Sequence, residues 1–176
     1  IWISGVINAF NWMDGIDGLA ILLTSIASIF LLIFSFDFQN FGLNLLLFSL
    51  LGSCIGFLKY NVYPSKILMG DCGSYFIGFN MAILSLIYCS NNFAVSNSFN
   101  ALNFNIFKAI FILAVPILDM TFVIVSRISR GKSPFYPDQS HIHHRLLRSG
   151  FNQKSTVKII CITSLFFCLL GMLIFY

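Results

Sequence analysis

NAFNWMDGIDGLA, residues 8–20, places Asp14 and Asp17 three residues apart, each followed by glycine, directly ahead of a long uncharged apolar run. Asn8, Asn11, Asp14 and Asp17 keep a constant spacing of three. Neighbours at that spacing meet on an α-helix, but each step drifts by about 60°, so a regular helix would carry Asn8 and Asp17 to opposite faces. Either these side chains divide their duties or the helix breaks near Gly15 and Gly18. Both outcomes suit oxygen ligands converging on a hard cation such as Mg²⁺, or on a nucleotide. A polar turn whose aspartates cap the following helix is the plainer alternative.

The apolar run beyond Gly18, and others like it along the chain, decide the class. Of 176 residues, 58% are hydrophobic and only 9% charged, with 21 Phe, a composition outside that of soluble domains. The chain therefore reads as an integral membrane protein with no nucleic-acid partner. Its acidic residues are Asp14, Asp17, Asp37, Asp71, Asp119 and Asp138, with no glutamate. With so little acidic decoration, most of these carboxylates are expected to have a task. Cys54, Cys72, Cys89, Cys161 and Cys168 are scattered without CxxC spacing, which argues against a disulfide framework or a zinc site. They read as small apolar fillers. Residues 1–7 read as the tail of an apolar segment already under way, without a cleavable signal pattern, so further chain is expected upstream.

A membrane crossing takes about 20 apolar residues. Five segments are expected to cross: Leu19 to Phe36, Leu43 to Leu58, Tyr75 to Cys89, Ile106 to Ile128, and Val157 to Phe175. The predicted fold is thus all-α, a polytopic transmembrane bundle of about five helices after a short N-terminal helix end, and residues 1–176 form one transmembrane domain. The Asn/Ser-rich stretch 90–105 reads as a polar surface loop. With Asp14 cytoplasmic, five alternating spans place Lys59, Lys66, Arg127, Arg130, Lys132, Arg145, Arg148, Lys154 and Lys158 on that side, and only Lys108 opposite. Cytoplasmic loops collect Lys and Arg, so this orientation is preferred and puts the C-terminus outside the cytoplasm. It also gathers Asp14, Asp17, GDCGS (70–74) and PDQSHIHHRLLRSG (137–150) on one face, and sends Asp37 to the other.

GDCGS repeats the arrangement of an aspartate with glycines ahead of an apolar helix. Ser74 reads as its N-cap, with free N–H groups behind it suited to an anion, and Asp71 could hold a metal sharing that phosphate; capping alone is the competing account. The three histidines lie in HIHH, residues 141–144. On a short amphipathic helix His141, His144, Arg145 and Arg148 would form one cationic face for phosphate or diphosphate. A basic loop binding anionic lipid is the alternative. Zinc fits poorly beside arginines. Asp119 lies inside the fourth span behind Pro116. A carboxylate there is costly and marks a functional candidate. Carbonyls freed by the proline could bind an ion or water, and pairing with a polar group of a helix preceding residue 1 is the structural alternative.

NAFNWMDGIDGLA, YNVYPSKILMGDCGSYFIGF and DQSHIHHRLL, in this order, make the chain similar to the polyprenyl-phosphate N-acetylhexosamine-1-phosphate transferases of glycosyltransferase family 4, over their C-terminal half. The HIHH form resembles the branch acting on UDP-N-acetylhexosamines. The resemblance implies a multi-pass protein of the bacterial inner membrane. It implies transfer of a sugar-1-phosphate from a UDP-N-acetylhexosamine to polyprenyl (undecaprenyl) phosphate, with release of UMP, initiating a lipid-linked cell-envelope glycan. It further implies Mg²⁺, with Mn²⁺ as an alternative ion, held by Asp71 and Asp14. Asn11, Asp14 and Asp17 would line the nucleotide end, with Asp14 supporting catalysis and Asp17 contacting uridine. Asn61 matches an asparagine ahead of the GDxGS motif. His141, His143 and His144 would stabilise the diphosphate beside Arg145. A homodimer is a family-based expectation. Two departures stand out. Leu68 occupies a position that is often aromatic, and the family's acidic DDxxD or DDxxK motif belongs to helices preceding residue 1, so the chain is expected to be part of a larger transferase. Rival readings are an inactive remnant of the family and, from another class, an ion or metabolite transporter built around Asp119.

Overall fold

A computed structural model describes residues 1–35, 41–96, 99–134, 136 and 139–175, with side chains described for all of these except 35, 90–96, 99–105 and 175. Asp37 and Asp138 lie outside the described residues. The described residues are all-α, in eight helices: α1 (Trp2–Met13), α2 (Leu19–Ser35), α3 (Phe41–Asn61), α4 (Gly70–Ser96), α5 (Phe99–Ile112), α6 (Ala114–Ser129), α7 (Ile142–Arg148) and α8 (Gln153–Phe175). The stretch 90–105, expected as a loop, is largely helix, because α4 runs on to Ser96 and α5 begins at Phe99.

Three helices are long and apolar enough to cross a membrane, Phe41–Asn61, Gly70–Cys89 and Gln153–Ile174, and the bent pair Ile106–Ile112 with Ala114–Ser129 makes a fourth. Among the described residues the expected five are therefore three, or four if the bent pair is one span. The apolar stretch Leu19–Phe34 measures only about 24 Å at 1.5 Å per residue. Gly18, at φ +77°, starts α2 afresh after the polar turn, so α1 adds nothing to its length. That helix instead fills the centre of the bundle: Leu19, Ala20, Leu23, Ala27 and Leu31 are fully buried. Thr24 and Ser25 donate their hydroxyls to Ala20 O and Ile21 O, which satisfies them inside the apolar interior.

The outer helices are apolar on both faces, as lipid-facing helices are. On α3, Leu43, Leu47, Leu50 and Cys54 face inward while Phe41, Leu45, Phe48 and Ile55 are exposed. Along α8, Thr156, Ile160, Ser164, Cys168 and Gly171 form the buried stripe, and Asn152 Oδ1 accepts the Ser155 N–H as its N-cap.

The fourth expected span is broken by 81° between Ile112 and Ala114. Pro116 has no N–H to give to the carbonyl one turn back, at Ile112, and it sits in the first turn of α6, where that donor is dispensable. The freed Ile112 O lies 3.8 Å from Cys168 Sγ, which donates to it from α8. The carbonyl is thus engaged by a thiol and not left for an ion.

α1 and α4 form the most extensive helix pair. Val6, Phe10 and Met13 recur at helical spacing and are buried. Trp2 Nε1 donates to Ser85 Oγ at one end of the pair (3.1 Å). In the middle, a Cβ on Gly78 would stand 2.9 Å from Ile7 Cα and 3.2 Å from Ile7 O. Backbone is the obstacle there, so no side-chain rotation relieves it. Gly78→Ala is expected to lower stability by about 1–3 kcal/mol, read as a lower melting temperature in detergent, whereas Gly52→Ala, which meets open space, should leave it unchanged or raise it. An unaltered melt for Gly78→Ala would show that the close crossing is unimportant.

Candidate active site

The first motif resolves as a helix break. α1 ends at Met13, Asp14 is its C-cap residue, and residues 14–18 form a turn into α2. Asn8 is thereby separated from the others: its amide donates back along α1 to Ser4 O (2.7 Å). Asn11 faces α4, donating through Nδ2 to Asp71 Oδ1 (3.1 Å) and Ser74 Oγ (2.9 Å). Asp17 turns the other way and accepts the Ser65 N–H (3.1 Å).

α4 starts at Gly70 (φ +62°), four residues ahead of the expected cap. Ser74 is therefore inside the helix, where its hydroxyl donates to Asp71 O. Asp71 occupies the first turn, a favourable place for a carboxylate at the positive end of the helix dipole. Asn61 is 2% exposed; its Oδ1 accepts the Gly18 N–H and its Nδ2 donates to Ile67 O. Its amide ties the start of α2 to the loop ahead of α4, a wall-building role that spacing did not disclose.

These elements enclose a cavity of about 330 Å³ lined by Asp14, Asp17 and Asp71 together with Asn61, Leu68 and Met69. Asp14 feels the company it keeps. Burial first, then the negative charges of Asp71 and Asp17, push its carboxyl from 3.8 to about 6. Among the described residues no three His, Cys, Asp or Glu side chains form a ready-made metal cage. Mg²⁺ does not require one, since it takes one or two carboxylates and completes its shell with phosphate oxygens and water. The donors are all oxygen, and the charges of Asp71 and Asp17, which add to burial in raising Asp14, are ones a hard dication would offset, so the residues present fit that ion.

The histidines do not form the expected face. α7 starts at Ile142, with His141 as the extended N-cap residue, so His141 and His143 both turn inward and are buried at 7% and 1% exposure. His141 Nδ1 lies 2.7 Å from Asp119 Oδ2, so Asp119 is paired within this chain. The His141 and His143 rings stack at 5.7 Å, and His143 and His144 stand 4.2 Å apart. Arg145 and Arg148 stay outside, Arg145 over the Phe122 ring at 4.7 Å and Arg148 donating to Gln139 O at 2.6 Å.

His143 joins the third motif to the first. A Cβ on Gly15 would fall on the His143 ring, within 2.7 Å of its Cε1, so only glycine between Asp14 and Asp17 admits the histidine so close. Both His143 nitrogens are buried without a hydrogen-bond partner. Burial, followed by the charges of His144 and His141 and opposed by Asp119, lowers its pKa to about 4, so the ring is neutral near pH 7. Trp12 also escaped the sequence reading: its ring meets His141 edge-on (5.4 Å) and carries the Arg127 guanidinium on its face (4.9 Å). Its place between the two asparagine and aspartate pairs of the motif was the available signal.

Comparison with known proteins shows the family. A sequence model of glycosyl transferase family 4 matches residues 1–89. The chain belongs to glycosyl transferase family 4. It is 37% identical over 167 residues to a probable undecaprenyl-phosphate N-acetylglucosaminyl 1-phosphate transferase of Bacillus subtilis, covering 95% of this chain and 44% of that protein. It is 36% identical to the decaprenyl-phosphate N-acetylglucosaminephosphotransferase of Mycobacterium tuberculosis (88% and 41% covered). With the undecaprenyl-phosphate alpha-N-acetylglucosaminyl 1-phosphate transferase of Escherichia coli it shares 31% identity (100% and 46%). The chain thus spans a little under half the length of these curated family 4 relatives.

The charge crowding at Asp14 has a measurable sign. A carboxyl whose folded-state pKa lies above its unfolded value holds its proton more tightly when folded, so ionisation lowers stability as pH rises from about 4 through about 6. Asp14→Asn removes that penalty. In EDTA at pH 8 the variant is expected to melt higher, by the equivalent of about 1–2 kcal/mol after allowance for the solvent exposure of the group. At pH 4, where Asp14 is protonated in the fold, the gain should all but disappear. A lower melting temperature at pH 8 would show that the cavity does not hold unfavourable charge.

Proposed function

We propose that this chain carries part of the active site of a transferase that moves an N-acetylhexosamine-1-phosphate from a UDP-sugar to polyprenyl phosphate at the cytoplasmic membrane face. The names of its family 4 relatives favour N-acetylglucosamine as the sugar. The observation that carries the proposal is the meeting of three carboxylates around one cavity with His143 packed against the turn that bears two of them.

The chemistry is governed by charge. A lipid phosphate, with a second pKa of about 6, is already an anionic nucleophile near neutral pH. One of its oxygens attacks the β-phosphorus of the UDP-sugar. A new P–O bond forms, the bond from that phosphorus to the bridging oxygen breaks, and UMP leaves with the electron pair. The barrier lies in gathering several negative charges and in aligning attacking and leaving oxygens. When bound at Asp14 and Asp71, Mg²⁺ would neutralise diphosphate charge. Asn11 holds the Asp71 carboxylate in place, Asn61 and Leu68 shape the wall for the nucleotide, and Asp17 faces the uridine end. His143, packed against the turn that lines the cavity, with His141 and His144 next to it, would serve the diphosphate. The apolar outer surfaces of α3 and α8 keep this cavity at the membrane, where a polyprenyl tail resides.

The test uses detergent-solubilised protein, as this chain and as the longer form where the reading frame extends upstream, with radiolabelled UDP-N-acetylhexosamines, Mg²⁺ and undecaprenyl phosphate. Label is expected to enter the lipid phase with release of UMP, and EDTA should stop it. Asp71→Asn should lower turnover at least about 100-fold and His144→Ala about 10- to 100-fold. Absence of transfer from every UDP-N-acetylhexosamine by both forms would overturn the proposal in favour of an inactive family member.

A further inference from the structure

Among the described residues Asp119 is the one aspartate that the proposed chemistry does not use, and it is placed where a carboxylate is costly. It sits on α6 shortly after the 81° break, 7% exposed, on a helix apolar along its first three turns apart from Asp119 itself and Thr121. Both of its oxygens are directed at a single target. Oδ2 lies 2.7 Å from His141 Nδ1, and Oδ1 accepts the Ile142 N–H at 2.7 Å. Ile142 is the first residue of α7, so its N–H is one of the donors that a helix start leaves without an internal partner. Asp119 thus caps α7 from another helix and grips the ring of the residue just before it. Both contacts are short for hydrogen bonds of their type.

Pairing of Nδ1 with a carboxylate assigns it the proton, which leaves Nε2 of a neutral His141 ring with the lone pair. The ring plane is held as well, by stacking on His143 and by the edge contact with Trp12. On the far side, Arg127 lies over Trp12 and donates through Nη1 to Pro134 O at 2.6 Å, which pins the strand of loop that leads toward α7. We propose that Asp119 is a positioning residue: it sets the tautomer and orientation of His141 and the start of α7, and through them seats His143 against Gly15, with His144 next to it. The break at Pro116 is what allows it, because the redirected α6 delivers Asp119 to the first turn of α7. The effect on turnover rests on the transferase reading given above, whereas the effect on the histidine ring does not.

The test reads the ring directly. The chain has three histidines, so long-range ¹H–¹⁵N spectra of ¹⁵N-histidine-labelled protein in micelles at pH 8 can be assigned by replacing each with glutamine. His141 is expected in the Nδ1–H tautomer. In Asp119→Asn, the side-chain amide cannot accept at both positions, and His141 is expected to move to the Nε2–H tautomer or to a mixture. Asp119→Glu, which keeps the carboxylate, should restore the Nδ1–H form. Val123→Ala, a packing loss on the same helix at a fully buried site, should lower the melting temperature without moving the tautomer. In the transferase assay Asp119→Asn should lower kcat roughly 10- to 100-fold, the range typical of partners that orient a working histidine, with KM for the UDP-sugar within about twofold and partial recovery in Asp119→Glu. An Nε2–H tautomer of His141 in the wild type, or an unchanged Nδ1–H tautomer in Asp119→Asn, would overturn the inference. If Asp119→Asn does not fold, the wild-type and Asp119→Glu spectra decide it. A tautomer change in a protein that transfers no sugar would sink the transferase reading and leave the positioning role standing.

Discussion

The crossing of α1 and α4 determines where the carboxylates lie, because Gly78 brings α4 against the backbone of Ile7 and so sets how far along α1 the start of α4 can reach. That start carries Asp71, and the end of α1 carries Asn11 and Asp14. Asn11 spans the gap, donating both to the Asp71 carboxylate and to Ser74. Without the close approach, an amide of that length would not bridge the two helices. With it, Asp14 is partly buried beside two further negative groups, and burial first, then the charges of Asp71 and Asp17, push its carboxyl up to about 6. Stability is given up locally to keep an arrangement whose charge a bound dication would offset.

The polar groups of this site lie where helices stop or break. An intact apolar helix in lipid has no spare backbone donors or acceptors, and its side chains must be apolar or paired. The turn after α1, the first turn of α4, the break before α6 and the N-terminus of α7 are the places where those restrictions lapse. Gly18, Gly70 and Pro116 make three of these four interruptions. The site is therefore built from punctuation, and the apolar stretches between serve to hold the punctuation marks at one level of the bundle.

Much of this was legible in the residues. The spacing of Asn8, Asn11, Asp14 and Asp17 required either divided roles or a broken helix, and both occur: Asn8 bonds back to Ser4, and α1 stops at Met13. The three motifs were grouped through a layout of five alternating spans, a premise that the three or four spans among the described residues do not keep; the contact of His143 with Gly15 is what joins the third motif to the first. Helix starts were less legible. Ser74 has the chemistry of an N-cap, but Gly70 in a left-handed conformation opens α4 a turn earlier. The same displacement undid the cationic face expected of HIHH, because a helix that begins at Ile142 turns His141 and His143 inward. The number of spans was overstated because hydropathy counts apolar residues, and it does not register that α2 is a buried central helix or that Pro116 folds a long apolar run through 81°.

The pairing of Asp119 with His141 was illegible for a different reason. Spacing arguments work within one element, where three or four residues bring side chains together. These two are separated by a helix end and a loop, and neither residue's neighbours signal the other. What the sequence did carry was a cost: a carboxylate inside an apolar helix has to be satisfied by something. The partner is a histidine in a motif already marked for function, so a group that looked like a second, separate site belongs to the first. Buried polar residues in a membrane bundle are expected to find each other for that reason. Each is unfavourable alone, and a fold that must retain a polar cluster for chemistry offers the nearest place where that penalty is offset.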